Sequence, residues 1–200
     1  MATATRRDCF AVVAPGLEAL ATAELRALGI APLESEAGGV SFAATDGQFF
    51  AANLHLRTAS RVLVRVATFR ATAFHELERL ARGVPWDAFV APGGAVRLRV
   101  TCRKSKLYHS DGVAERVADA IARRVKGAHA ERVPRADADD DPEDDAPLSA
   151  VRHAVRHAVR HAVQQSPQVP SAAAPQLFIV RFDHDTCTIS ADSSGELRRY

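Results

Sequence analysis

Ala95-Val96-Arg97-Leu98-Arg99-Val100-Thr101 alternates apolar and cationic residues with a period of two, and Cys102-Arg103-Lys104-Ser105-Lys106-Leu107-Tyr108-His109-Ser110 follows without a break. That period describes a strand with one face against a core: Val96, Leu98 and Val100 point inward, Arg97 and Arg99 outward. Beyond it, Val113, Val117, Ile121 and Val125 recur at the spacing of one helical stripe, so residues 113–125 read as a helix that Ser110 or Asp111 can cap. A strand, a basic connection and an amphipathic helix in that order make an α/β unit.

The same reading extends outward. Before the strand, Phe74, Leu77 and Leu80 place a helix at 74–81, Pro85-Trp86-Asp87-Ala88-Phe89 a hydrophobic corner in which Trp86 is a core or corner residue rather than a ligand contact, and Pro92-Gly93-Gly94 a turn. Towards the C-terminus, 177–182 and 186–191 form a hairpin around Asp183-His184-Asp185. Residues 8–14 are a short buried strand closed by Pro15-Gly16. A helix carrying Leu17, Leu20, Ala21, Leu25 and Leu28 follows, with Gly29 where a C-cap belongs. Strands at 33–36 and 39–42 meet at Gly38-Gly39, Asp46 caps a second helix through Phe49, Phe50, Ala52 and Asn53, and 61–69 is a half-buried strand. Strand, helix, strand, strand, helix, strand is the ferredoxin-like order. The fold class expected is α+β: a ferredoxin-like domain over 1–70 and an α/β domain over 71–200.

Composition narrows the classes further. With 200 residues, 47% hydrophobic and 25% charged, the chain is neither fibrous nor wholly disordered. No apolar run approaches the roughly 18–20 residues that span a bilayer. The first residues, Met1-Ala2-Thr3-Ala4-Thr5-Arg6-Arg7-Asp8, lack the apolar stretch of a signal peptide. Cys9, Cys102 and Cys187 lie far apart in predicted strands and have no CxxC spacing, so they read as buried apolar groups in a reducing compartment, and a cytoplasmic location is expected.

The net charge of +2 conceals a division. Residues 1–133 carry 19 Lys/Arg against 13 Asp/Glu, and residues 134–147 carry one Arg against seven acids. Ala-Val-Arg-His then occurs three times, starting at Ala150, Ala154 and Ala158, and 164–175 is rich in Gln, Ser, Pro and Ala. Residues at about 130–175 therefore read as a low-complexity insertion expected to be mobile, with a helix possible over the repeat. His153, His157 and His161 share a helical face that could hold a metal, but no carboxylate lies within the repeat, so no metal site is assigned.

The densest chemical signal is the opening stretch: 95–110 holds five Lys/Arg and no acid. Arg103, Lys104 and Lys106 run into a helix N-terminus, whose unpaired N–H groups favour an anion. Tyr108 and His109 add ring faces on which an unpaired base can stack. The plainer reading is one solvated edge of a basic domain, because Lys and Arg stems also cover apolar surface. Gly-x-Gly-x-x-Gly, P-loop and nucleophile-elbow motifs are not found, nor is an acid/base pair, so no catalytic residue is assigned.

Ala14-Pro15-Gly16-Leu17-Glu18, the stretch Arg97-Leu98-Arg99 through His109-Ser110, and Asp192-Ser193-Ser194-Gly195-Glu196-Leu197 resemble the ferredoxin-like plus THUMP region of bacterial RNA methyltransferases. The resemblance is to the large-subunit rRNA guanine-N2 type and to related tRNA enzymes. The resemblance covers about 1–129 and 176–197; the insertion departs from it. It implies a module that captures structured rRNA or tRNA through Arg97, Arg99, Arg103, Lys104, Ser105, Lys106, Tyr108 and His109. S-adenosylmethionine would serve only a methyltransferase domain in cis or in trans, because neither the cofactor loop nor the Asn/Asp-Pro-Pro-Tyr/Phe motif occurs in these residues, which are not expected to be an enzyme alone. A non-catalytic interaction protein, or a truncated remnant, is the alternative.

Overall fold

A computed structural model describes residues 6–131 and 174–194, all within one compact unit. β1 (Arg7–Val13) is followed by α1 (Glu18–Ala27), β2 (Pro32–Glu36), β3 (Gly39–Ala44), α2 (Asp46–His55) and β4 (Ala59–Arg70). The strands of this half lie in the order β2-β3-β1-β4, all antiparallel, which is the ferredoxin-like arrangement. Then come α3 (Phe74–Arg82), a 3-10 turn (Trp86–Ala88), β5 (Ala95–Arg103), α4 (Ser110–Arg124), β6 (His129–Glu131), β7 (Gln176–Asp183) and β8 (Thr186–Asp192). β5 pairs in parallel with both β6 and β7, and β7 turns back into β8 as an antiparallel hairpin.

Local chemistry accounts for the ends of these elements. α2 is capped by Thr45 rather than Asp46: Thr45 and Gln48 form a reciprocal capping box, while Asp46 sits in the first turn and pairs with Arg7 at 2.8 Å. His109, not Ser110 or Asp111, is the N-cap of α4, and it makes no side-chain cap bond. The β7–β8 turn has two central residues, His184 and Asp185, both in the left-handed region that a type I′ hairpin requires. Gly29 adopts φ +70 just beyond α1, as a C-cap glycine does. Residues 130–131, read above as the start of the insertion, instead belong to β6; residues 132–173, with the acidic run and the Ala-Val-Arg-His repeat, lie outside the described residues.

Two cores form. One gathers Cys9, Ala11, Val40, Phe42, Val62 and Val64 under Ala21, Leu25 and Ala52 of the first two helices and Leu56 just beyond α2. The other gathers Val96, Phe178, Val180, Phe182, Cys187, Ile189 and Ala191 under Leu77, Val113, Val117 and Ile121 of α3 and α4. Trp86 is fully buried there, its Nε1 donating to the Ala81 carbonyl at 2.8 Å and its ring edge-on to Phe178. The halves are continuous because β4 pairs with β8, completing one eight-stranded sheet, β2-β3-β1-β4-β8-β7-β5-β6. Val64 of the first core is the partner of Ala191 of the second, and paired residues project to the same side. All four helices therefore cover one face of the sheet, and the described residues place no helix on the other.

β4 departs from the simple alternation of its sequence. Val62 and Val64 face the helices, but an irregularity between Arg65 and Ala67 adds one residue and resets the phase. Beyond it Ala67 and Phe69 pack on the second core while Thr68 and Arg70 turn outward. At the far end of β8, Asp192 is buried against Arg61, its carboxylate also accepts the Ser194 N–H, and the Ser194 hydroxyl accepts the Val62 N–H. Asn53 of α2 hydrogen-bonds Ser193, so one short segment ties the last strand to both halves.

Two outcomes follow from this packing. Asp192→Ala takes from the half-buried Arg61 guanidinium the carboxylate it pairs with, a loss of about 1.5–3 kcal/mol in urea unfolding; a change below about 0.5 kcal/mol would show that the pair is dispensable. Burial pushes the Cys9 thiol up to about 11, and burial with Cys102 nearby pushes Cys187 up to about 12. A thiol-specific reagent at pH 8 labels neither in the native protein and both after denaturation; rapid native labelling of either would contradict this burial.

Candidate nucleic-acid interface

β5 ends at Arg103, and the chain then turns through Lys104, which adopts φ +45. A side chain with a Cβ reaches this region at a cost of roughly 1 kcal/mol or more, so the turn needs outside support. The β7–β8 hairpin supplies it. The His184 N–H donates to the Arg103 carbonyl at 3.3 Å, the Asp185 N–H to the Ser105 hydroxyl at 3.0 Å, and that hydroxyl to the Arg103 carbonyl at 2.8 Å. The Asp185 carboxylate accepts the Lys106 N–H at 2.7 Å, and its carbonyl accepts the Ala71 N–H at 3.0 Å. Leu107, buried in the second core, pins the chain immediately before α4.

With the backbone held at both ends, the intervening side chains project into water. Arg103, Lys104 and Lys106 are exposed, and none of them enters an ion pair among the described residues. Tyr108 is 69% exposed, and its ring stands 4.0 Å from that of His109, inclined at 42°. Gly112, one turn into α4, lies where a Cβ would approach the Phe74 ring to 3.2 Å, so its lack of a side chain lets the helix start sit close to α3. Asp111 places a carboxylate in that first turn, so the loop side chains carry more of the local positive charge than the helix end does.

The eight residues singled out in the sequence do not form one cluster. Arg103, Lys104, Lys106, Tyr108 and His109 share the loop. Ser105 belongs to it as a brace, its hydroxyl engaged on both sides by backbone. Arg97 and Arg99 lie back along β5 on the helix-free face, Arg97 about 20 Å from Arg103 at the rise of an extended strand. Arg97 is also paired with Glu131 at 3.0 Å, leaving it partly neutralised. Asp185 was not singled out, although it organises the loop and approaches Arg70 at 3.8 Å. An Asp in a two-residue hairpin turn was visible, but nothing local shows that the turn lands on residues about 80 positions earlier.

Comparison with known proteins places this geometry. Residues 8–63 match the model of the RlmL ferredoxin-like domain, and residues 71–139 that of the THUMP domain. A Synechocystis sp. protein named "Putative RNA methyltransferase slr0064" is 35% identical over 118 residues, 59% of this chain and 31% of that protein. The ribosomal RNA large subunit methyltransferase K/L of Syntrophotalea carbinolica is 35% identical over 111 residues, 56% of this chain and 16% of its own length. The chain thus spans a third or less of these curated relatives. The solved structure of a predicted N6-adenine-specific DNA methylase from Listeria monocytogenes str. 4b F2365 aligns over 96% of this chain and 42% of its own, at 26% identity and a TM-score of 0.66. With both domain models in sequence order and their strands joined in one sheet, the chain belongs to the proteins that combine an RlmL ferredoxin-like domain with a THUMP domain.

Proposed function

We propose that this chain is an RNA-binding module, the part of an S-adenosylmethionine-dependent RNA methyltransferase that captures structured rRNA or tRNA. The observation that carries the reading is the braced loop: three cations without ion pairs among the described residues, beside an exposed aromatic pair, inside the THUMP domain. Exposed cations on a rigid backbone suit phosphates, which supply most of the affinity between proteins and nucleic acids. Tyr108 and His109 offer the stacking surface that unpaired nucleotides use. Ser105 acts by holding the turn, and Arg99 with Arg97 continues the basic track along β5.

The relatives named for rRNA methylation support rRNA as the substrate class, and guanine N2 as the methylated atom rests on the resemblance of the loop motif. The chain offers no Gly-x-Gly-x-x-Gly turn of the kind that cradles a nucleotide cofactor, so S-adenosylmethionine and the transfer itself belong to a methyltransferase domain acting in cis or in trans. The two domains at 1–70 and 71–200 would hold the RNA for that domain, in the cytoplasm.

The test replaces the three cations: Arg103→Ala, Lys104→Gly and Lys106→Ala. Glycine at 104 suits the positive φ, so the fold is retained while the charge is removed. At about 0.7 log unit of salt dependence per phosphate contact on a single strand, the triple variant flattens the slope of log K against log salt by about two units. An unchanged affinity and slope would remove the loop from the interface. Tyr108→Ala separately weakens binding to RNA with unpaired nucleotides by about 1–3 kcal/mol, measured by fluorescence anisotropy, and leaves a blunt duplex unaffected.

A further inference from the structure

The face of the sheet opposite the helices is organised in rows. Strand register aligns Arg99, Ile179, Ser190 and Arg65 across β5, β7, β8 and β4. The next row is Thr101, Arg181, Thr188 and Thr68, and the third is Arg103, Asp183, Thr186 and Arg70. With neighbouring strands about 4.8 Å apart and alternate residues about 6.7 Å apart, these positions cover roughly 14 Å by 13 Å. Five are arginines, five carry hydroxyls, and one is acidic. The irregularity in β4 is what brings Thr68 and Arg70 into the rows: without the added residue both would point toward the helices.

Two of the five arginines are partnered, Arg65 with Glu36 and Arg70 with Asp185, and Asp183 is the one acid among the twelve positions. Arg181 is exposed and enters no ion pair among the described residues. Arg65 stacks over the buried Phe10 ring at 4.5 Å and reaches Glu36 at 3.6 Å. Burial lowers its pKa, Glu36 opposes that, and the charge of Arg181 lowers it further, so two like charges are held near each other. Such juxtaposition is unfavourable in the free protein and favourable once a polyanion lies across both. No aromatic ring occupies any of the twelve positions, so the surface has nothing on which to stack a splayed base. It offers guanidiniums and hydroxyls, the groups that contact phosphates and 2′-hydroxyls across the wide, shallow minor groove of an RNA helix.

We infer that the helix-free face of the sheet, around Arg99, Arg181, Arg65, Thr101, Thr188 and Thr68, is a second RNA contact that takes the sugar-phosphate backbone of a duplex. It rests on the proposed RNA-binding function and divides the labour: the loop at Arg103–His109 holds unpaired nucleotides, and the sheet holds the adjoining helix. Of this face, the motif resemblance reaches only the β5 residues; Arg181, Arg65 and the threonines come from the register of strands distant in sequence.

The experiment uses the full chain with two probes of equal length, a blunt RNA hairpin duplex and a single-stranded RNA, titrated across a range of KCl by anisotropy. Arg181→Gln, which has no part in the loop or its track, flattens the salt slope for the duplex by about 0.9 unit, the loss of one contact on a double helix, and leaves the single-strand slope unchanged. Lys104→Gly with Lys106→Ala, which leaves Arg103 of the third row in place, does the reverse. Thermal melts of the variants match the wild type, since Arg181, Lys104 and Lys106 are exposed. If the sheet variant binds the duplex as wild type does while the loop variant loses RNA, the sheet contact is overturned and the RNA reading stands. If the intact chain binds neither probe, both fall. If a poly-glutamate peptide binds as tightly as the duplex and is lost in the same variant, the face is a site for acidic protein and the inference is overturned.

Discussion

β4 runs for 12 residues and is paired on both sides, with β1 over its first half and with β8 over its second. A buried strand must find partners for its backbone N–H and C=O groups. In an isolated ferredoxin-like sheet in the order seen here, one flank of β4 would be an open edge; β8 closes it. That one pairing makes a single sheet of two sequence domains, and it brings Val64 beside Ala191 so that both cores form under the same layer of helices. The opposite face is then left to polar groups. Arg61, paired with the buried Asp192 at the end of this seam, and the serines that follow Asp192 hold the last strand to α2 and β4 together.

The position of the basic loop is a consequence of the same sheet. β7 lies between β8 and β5, so the turn that joins β7 to β8 must emerge beside the end of β5, where Arg103 gives way to Lys104. Asp185 in that turn supplies the acceptor for Lys106 and the donor for Ser105, and Leu107 anchors the segment from below. A left-handed Lys104 is tolerable only with this support. The result is a short segment whose backbone hydrogen bonds are made internally and whose charged ends are not, an arrangement suited to meeting phosphates without a large ordering cost. Free thiols do not take part: Cys9 and Cys187 are buried and held protonated.

Much of this was legible in the residues. The period-two alternation of β5, the helical stripe from Val113 to Val125, the βαββαβ order and the burial of Trp86 all follow from local pattern, and the structure agrees with each. Errors were local too. Asp46 looked like a cap, but the Thr45–Gln48 pair satisfies two backbone donors where Asp46 would satisfy one. β6 went unseen because three residues at the margin of a low-complexity stretch carry no period. The irregularity after Arg65 in β4, which reverses which side chains face the core, leaves no mark in composition.

The sequence by itself determined which segments become strands and helices, where positive charge accumulates, and the family to which its motifs belong, because propensity, periodicity and turn chemistry act over a few neighbouring residues. Which strands lie side by side was decided only by the tertiary structure. Arg99, Arg181 and Arg65 come from three strands scattered over more than a hundred residues, and Asp185 braces a loop about 80 positions away. Those proximities arise from pairing hydrogen bonds and from burying two apolar faces beneath one layer of helices. Both are satisfied by the chain as a whole and by no segment of it alone.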